Sequence, residues 1–171
     1  PTLSWYAYLL GSAQRIACMT FAFNFDPVFQ QAVLGQTVAL SYLVFDKALK
    51  DTQETEMRRR RNAIIAVGSK LEDGDMENFL GERLTGFNRN RYIHDKFLLV
   101  DPLGDDPIVV TGTANFSEAS QDKNDENMLV IRGNERVADI YFGEFMRIFD
   151  HHYVRYVLEK LKASGSNDPD A

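Results

Sequence analysis

The chain alternates between short apolar runs and segments in which apolar residues recur at helical spacing. Six apolar runs predict buried strands, and they lie at residues 16–25, 37–45, 62–67, 91–101, 108–111 and 128–132. Helical spacing predicts helices near residues 4–13, 26–34, 46–61 and 75–84 and a long helix after residue 134. Strands that alternate with helices in this way predict a layered α/β domain.

Polar residues at the predicted helix starts support this layout. Ser4, Asp26, Asp46 and Asn134 each precede a helical segment and are residue types that cap helices. Gly35 is expected to close the second helix. The long helix is expected to bury one stripe of side chains, namely Val137, Ile140, Tyr141, Phe145, Ile148, Phe149 and His152.

Composition then narrows the class of protein. With 171 residues, the chain suits one domain, predicted at residues 1–162 with a disordered tail at 163–171. Its longest apolar runs, residues 16–23 and 38–45, are shorter than the ~20 residues of a membrane helix, so an integral membrane protein is not expected. Cys18 is interpreted as a buried core residue and is compatible with a cytoplasmic location. The chain starts at Pro1, which indicates a trimmed N-terminus.

The strongest chemical signal lies in the predicted strand at residues 91–101. Side chains two apart in a strand point the same way, so His94 and Lys96 are predicted to share one face. The opposite face would carry Phe97 and Leu99. A histidine beside an ammonium group suits a site that binds an anion and attacks it or shuttles protons.

Two further segments add to this signal. Gly112 ends a predicted strand and lets the backbone approach a ligand, while Thr113 and Asn115 can donate hydrogen bonds to phosphate oxygens. Glu126 leads into the next strand and is a candidate partner for the ring N–H of His94, as the acid is in a serine-protease triad.

Together these segments resemble the signature of the phospholipase D superfamily, His-x-Lys-x4-Asp followed by Gly-Ser/Thr-x-Asn. The matching residues are His94, Lys96, Asp101, Gly112, Thr113 and Asn115. Ala13 and Ile16 resemble the family's opening helix-to-strand entry, so the likeness covers residues 5–162, one repeat of the fold. The family usually has a shorter spacing than the ten residues between Asp101 and Gly112.

The resemblance implies a layered α-β-α sandwich with a mixed central sheet and a phosphodiesterase that works without metal or cofactor. By likeness to the family, His94 is the nucleophile, forming a phosphohistidine, or the general acid. Lys96, Thr113 and Asn115 would hold the phosphoryl oxygens, and Glu126 would orient the histidine. The resemblance makes Asp101 and Gly112 structural members of the motif.

The chain supplies only one of the two catalytic histidines that the resemblance implies. The chain has three, and only His94 lies in the motif, whereas His151 and His152 fall on the C-terminal helix. The second catalytic histidine is therefore expected from another copy of the motif. A homodimer mate or a missing half of the same protein could supply it. The trimmed N-terminus and the single-repeat length favour neither source, and the expectation leans slightly to the missing half because nothing in the sequence resembles an independent start.

The substrate is the least determined property. The net charge of −6 weighs against a non-specific nuclease, although Arg89 and Arg91 with the motif cations make the approach to the site positive. The Arg58–Arg61 run is interpreted as a solvated helix end rather than a phosphate-binding patch. A phospholipid substrate is favoured. A nuclease acting on DNA or RNA as a homodimer and a non-catalytic phosphate-binding module are the alternatives.

Overall fold

A mixed six-stranded sheet forms the centre of the fold in a computed structural model that describes residues 2–22, 25–36, 39–68 and 93–163. The strands are β1 (Ile16–Phe21), β2 (Leu40–Phe45), β3 (Ala63–Val67), β4 (Phe97–Val100), β5 (Ile108–Gly112) and β6 (Met128–Arg132). Their order across the sheet is β3-β2-β1-β4-β5-β6. β1, β2 and β3 run parallel, and β4, β5 and β6 extend the sheet in antiparallel fashion.

Helices cover both faces of this sheet. They are α1 (Leu3–Gly11), α2 (Pro27–Gly35), α3 (Asp51–Arg59), α4 (Glu118–Lys123) and α5 (Glu135–Ala163). None of the helices within the described residues is long and apolar enough to cross a membrane. Because helices cover both faces of a mixed sheet, the predicted α-β-α sandwich is confirmed.

Alternation along each strand divides the apolar side chains between two cores. In β4, Leu98 and Val100 join the core under α1 and α2, whereas Phe97 and Leu99 join the core under α5. The expectation that Phe97 and Leu99 share a face is confirmed. Cys18 belongs to the α5 side and is fully buried, and burial raises the pKa of its thiol.

Two of the four predicted helix caps are confirmed. The Asp26 carboxylate accepts from the Val28 N–H at 2.9 Å, and the Asn134 amide oxygen accepts from the Val137 N–H at 3.1 Å. The third prediction, a cap at Ser4, is wrong: Thr2 caps α1, because the helix begins two residues earlier than that cap implied.

The predicted cap at Asp46 is wrong. α3 begins only at Asp51, after Lys50, which makes no side-chain cap hydrogen bond. The Asp46 carboxylate binds a distant backbone N–H, which is described below with the site.

The predicted buried stripe of the long helix holds with one exception. Phe145, Ile148 and Phe149 are buried against the sheet, but Ile140 is 62% exposed and Ala138 is buried in its place. The stripe runs through Ala138 and Phe145, seven residues apart, and Ile140 falls outside it at 100° per residue.

All six strands lie where they were predicted, but several begin or end at other residues. β4 begins at Phe97 rather than at residue 91, and β2 begins at Leu40 rather than at 37. β1 ends at Phe21, four residues before its predicted end. The helix expected near residues 75–84 and the tail beyond Ala163 lie outside the described residues.

Candidate active site

The segment that carries the histidine and lysine lies just before β4 and is held by two polar side chains from elsewhere. The Asp46 carboxylate accepts from the Ile93 N–H at 2.8 Å. The fully buried Thr20 of β1 donates its hydroxyl to the Asp95 carbonyl at 2.6 Å and accepts from the Phe97 N–H at 3.2 Å. These bonds fix residues 93–97 at both ends without any strand ladder.

His94 and Lys96 are neighbours in this irregular segment. The prediction that a strand places them on one face is wrong, since the ladder starts only at Phe97. The Lys96 ammonium instead donates to the His94 carbonyl oxygen at 2.6 Å, which brings the two residues together by another route. His94 is exposed and Lys96 is partly buried. Burial lowers the pKa of Lys96, while the charges of Asp95 and Glu126 act to raise it.

Gly112 ends β5 where the chain passes very close to the start of β6. A Cβ at this position would overlap the Asn127 carbonyl oxygen and lie 2.8 Å from the Met128 Cα. Only glycine lets β5 and β6 approach each other so closely at this point.

Thr113 and Glu126 form the centre of the site on the β5–β6 side. The Thr113 N–H donates to the Asn127 carbonyl at 2.8 Å, and its hydroxyl oxygen accepts from the Asn127 N–H at 2.9 Å. A hydrogen bond from the Thr113 side chain is the largest influence that lowers the pKa of Glu126. The Asn124 amide donates to Glu126 Oε1 at 3.2 Å. This bond, a hydrogen bond from Ser120 and the charge of Lys96 also lower the pKa of Glu126.

Ser120 of α4 links the two loops of the site. Its side chain is buried, its oxygen accepts from the Asn115 N–H at 3.1 Å, and the same side chain hydrogen-bonds Glu126. The Oδ1 atom of Asn115 is buried and has no hydrogen-bond partner among the described residues. A buried amide oxygen of this kind is costly to leave unpaired, and such groups occur at sites that receive a ligand.

Asp101 lies at the other end of β4 and ties that strand to β1. Its carboxylate accepts from the N–H groups of Gln14, Arg15 and Ile16 at 2.9, 2.7 and 2.9 Å. Its φ of 45° lies in the left-handed region, which aspartate tolerates better than most residues. Three backbone bonds offset that conformational cost, so Asp101 contributes to the fold beneath the site.

The structure thus brings Lys96, Thr113, Ser120 and Asn124 to one carboxylate, Glu126, with His94 beside Lys96. Orientation of His94 by Glu126 and phosphate binding by Thr113 and Asn115 stay predictions. Within the described residues, no three His, Cys, Asp or Glu side chains form a cluster that could hold a metal ion. Arg89 and Arg91 lie outside the described residues.

Three residues that position the site escape sequence reasoning. Thr20 sits in an apolar strand, and its polar group inside a buried run is the only signal available. Asp46 resembles a helix cap, and Ser120 resembles any short-helix residue. The partner of Thr20 is 75 residues away, that of Asp46 is 47 residues away and that of Ser120 is 5 residues away. Only the tertiary structure reveals the partners of Thr20 and Asp46.

Comparison with known protein families places the chain in a family. The family model described as "Cardiolipin synthase, PLD-like domain" matches residues 43–151, which include the whole of the His94–Glu126 region. This chain belongs to the phospholipase D-like family. A search of curated proteins finds no match.

Solved structures similar to this phospholipase D-like domain share its fold. NucT from Helicobacter pylori superposes with a TM-score of 0.58 at 13% identity, covering 88% of this chain and 87% of that chain. Nuc from Salmonella typhimurium, a phospholipase D family member, gives a TM-score of 0.55 at 18% identity over 86% of each chain. TrmBL2, an archaeal chromatin protein, gives 0.50 at 14% identity, covering 86% of this chain but 47% of that chain.

Proposed function

We propose that this chain is a phosphodiesterase in which His94 takes part in catalysis through a covalent phosphohistidine. In the first step an imidazole nitrogen forms the N–P bond as the P–O bond to the leaving alkoxide breaks, and a second histidine gives that alkoxide its proton. In the second step water attacks phosphorus, the N–P bond breaks, and the second histidine recovers a proton. His94 takes the nucleophile or the acid role, depending on which copy attacks.

The arrangement around Glu126 is the observation that carries this proposal. Glu126 is held by Thr113, Ser120 and Asn124, all neutral donors, and it acts on Lys96 from across the site. A carboxylate held in this way can order a nearby cation and imidazole without neutralising them. Lys96 is then suited to stabilise the negative charge that builds on the phosphoryl oxygens.

A second copy of the chain is the proposed source of the other histidine. Residues 151 and 152 lie on α5, where His152 is largely buried beside Arg155, so neither matches the motif of His94. In a homodimer related by a two-fold axis, like residues face each other across the axis and two His94 side chains can share one site. The mass of the active species in solution tests this pairing.

The substrate class is tested separately. Head-group release from phosphatidylcholine vesicles would support the phospholipid that the sequence favours, and cleavage of single-stranded DNA or RNA would support the nuclease alternative. Binding of phosphodiesters without turnover would identify a non-catalytic module.

The decisive experiment replaces the histidine. We expect His94→Asn to lower the hydrolysis rate of methyl p-nitrophenyl phosphate by at least about 10³-fold while the unfolding transition stays unchanged, because His94 is exposed. His151→Asn, an exposed histidine on α5, is the matched control and should retain activity. Full activity of His94→Asn would overturn the mechanism. Loss of wild-type activity in EDTA would indicate a metal-dependent enzyme instead.

A further inference from the structure

Thr20 is a polar residue at a position of β1 that lies within the apolar core. It follows Cys18 by two residues, so the two side chains point to the same side of the sheet. Its partner across the β1–β2 pair is Val44, and all three residues are fully buried. Valine would fill this place without the cost of burying a hydroxyl. The hydroxyl therefore has a task that packing alone does not explain.

The two hydrogen bonds of that hydroxyl reach the backbone on either side of one residue, Lys96. The hydroxyl donates to the Asp95 carbonyl at 2.6 Å and accepts from the Phe97 N–H at 3.2 Å. The carbonyl belongs to the peptide unit before Lys96, and the N–H belongs to the peptide unit after it. Because the φ and ψ angles of a residue relate its two peptide units, the hydroxyl fixes the backbone direction at Lys96.

The register of the sheet explains why a side chain takes this task. β1 and β4 pair as far as Met19 and Leu98. The next position along would set Thr20 opposite Phe97, and there the Phe97 N–H bonds the Thr20 side chain. The hydroxyl thus joins β1 to the backbone at the point where residues 93–96 leave the regular strand and enter the site.

The Lys96 ammonium is the group that depends most on this arrangement. It donates to the His94 carbonyl at 2.6 Å, and its charge acts on Glu126. A lysine side chain is a flexible four-carbon stem, so its backbone and the bonds at its tip together determine where the charge lies. A displacement of about 1 Å in a group that meets the transition state can lower a rate by about 10²-fold.

We propose that Thr20 is a positioning residue, whose hydroxyl sets the place of the Lys96 ammonium relative to the phosphoryl group. Because Thr20 is fully buried, it acts through the backbone and not on the substrate. This inference rests on the proposed phosphodiesterase function and adds β1 to the elements that determine its rate.

A double-mutant cycle in the full chain tests the proposal. We expect Thr20→Val to lower kcat/KM for methyl p-nitrophenyl phosphate by at least about tenfold, because Lys96 is no longer held in place. In a Lys96→Met background the same substitution should change kcat/KM by less than about twofold, since no ammonium remains to be displaced. Thr20→Ser keeps the hydroxyl and should retain kcat/KM within about threefold of wild type.

Ser41→Ala is the matched control. Ser41 of β2 is also buried, and its hydroxyl donates to the Gln36 side chain at 2.5 Å. It pairs with Ala17, toward the start of β1 and away from Thr20. Although this variant also loses a buried hydrogen bond, its kcat/KM should stay within about twofold of wild type.

Amide hydrogen exchange gives a measurement that does not depend on activity. The Phe97 amide should exchange at least about tenfold faster in Thr20→Val than in wild type, and Thr20→Ser and Ser41→Ala should leave its rate unchanged. Thr20→Cys carries a thiol, which is a weaker hydrogen-bonding group. It should shift both measurements in the same direction as valine and takes the place of Thr20→Val if that variant does not fold.

The outcomes separate this inference from the proposed function. If wild type hydrolyses no phosphodiester, the proposed function fails and the positioning role fails with it, whatever the exchange rates are. If wild type is active and Thr20→Val causes equal losses with and without Lys96, the positioning role alone is wrong, because a general loss of packing would act in both backgrounds. An unchanged exchange rate at Phe97 in Thr20→Val would also overturn it.

Discussion

Two glutamates of this fold are held by hydrogen bonds in opposite ways. Glu54 of α3 accepts from Arg58 at 2.9 Å, from Tyr156 at 2.7 Å and from Lys160 at 2.8 Å, the last two residues being on α5. Burial acts to raise its pKa, but the hydrogen bonds from Lys160, Tyr156 and Arg58 outweigh burial and lower the pKa to about 2. Glu126, in contrast, is held mainly by neutral side chains.

The difference separates a structural cluster from a working site. Around Glu54, both cations are bonded to the carboxylate they neutralise, and Arg58 also hydrogen-bonds the Tyr156 hydroxyl, so the cluster joins α3 to α5 and is complete. At the site, Lys96 forms no ion pair within the part of the chain that the structure describes, and its ammonium bonds a carbonyl. A site that must accept an anion has to keep its cation available in this way.

Exchanging the two lysines for methionine is the strongest way to break this comparison. We expect Lys96→Met to lower kcat/KM for methyl p-nitrophenyl phosphate by about 10²–10³-fold, because it removes positive charge where negative charge builds up. Its free energy of unfolding should change by less than about 1 kcal/mol, since the Lys96 side chain makes one hydrogen bond to the described residues.

Lys160→Met should differ from Lys96→Met in its effect on activity. Its side chain is 52% exposed, so the ion pair with Glu54 is screened and its loss should cost less than about 1 kcal/mol, with activity unchanged. Initial rates and urea unfolding measure both properties. Similar activity losses in the two variants would show that Lys96 has no special role.

The same contrast explains how much the sequence could predict. The six strands and the helices α1, α2, α3 and α5 were predicted from the pattern along the chain, whereas the short helix α4 was not. The motif from His94 to Glu126 follows from residue types at fixed spacing. Both signals are local in the chain. The Arg58–Arg61 run was interpreted as a solvated helix end, and α3 does end at Arg59. Arg58 and Arg60 there are not merely solvated, because they bond Glu54 and the Gln36 carbonyl.

What the sequence could not predict depends on contacts between distant segments. The apolar pattern predicted a strand over residues 91–101, yet Thr20 and Asp46 hold residues 93–96 in irregular form. Asp46 was predicted as a helix cap, but an aspartate carboxylate can equally accept from a distant backbone N–H, and Asp46 accepts from that of Ile93. Periodicity contains no information on which of two possible partners a carboxylate will choose.

Removing the carboxylate of the structural cluster should affect stability rather than activity. We expect Glu54→Gln to lower the free energy of unfolding by about 2 kcal/mol at pH 7, because Arg58 and Lys160 lose their shared anion. Glu54 has a folded pKa near 2, below its ordinary value of 4.5, so its contribution is present above about pH 4.5 and is lost as the pH falls toward 2.

Urea unfolding at pH 7 and pH 3 measures this change, and the gap between variant and wild type should narrow at pH 3. Glu144→Gln is the matched control, since the pair with Arg147 is exposed on both sides and its loss should change the free energy of unfolding much less than the loss of Glu54 does. An equal effect of the two substitutions would contradict the view that Glu54 joins two helices.

The smallest expected effect concerns His152. Unlike the exposed His94 of the site, it is largely buried. Burial lowers the pKa of His152 to about 4, and the charges of His151 and Arg155 add to this. Its Nδ1 atom is buried without a hydrogen-bond partner among the described residues. The folded state therefore binds fewer protons than the unfolded state between about pH 6.5 and 4, so stability falls as the pH drops through that window.

We expect His152→Leu to remove about 1 kcal/mol of the stability loss between pH 6.5 and 4, because leucine keeps the packing and does not titrate. His151→Leu, at an exposed neighbouring position, is the control. Unfolding free energies at half-unit pH steps distinguish this window from the lower one of Glu54. A wild-type pH slope that persists in His152→Leu would assign the loss to another group.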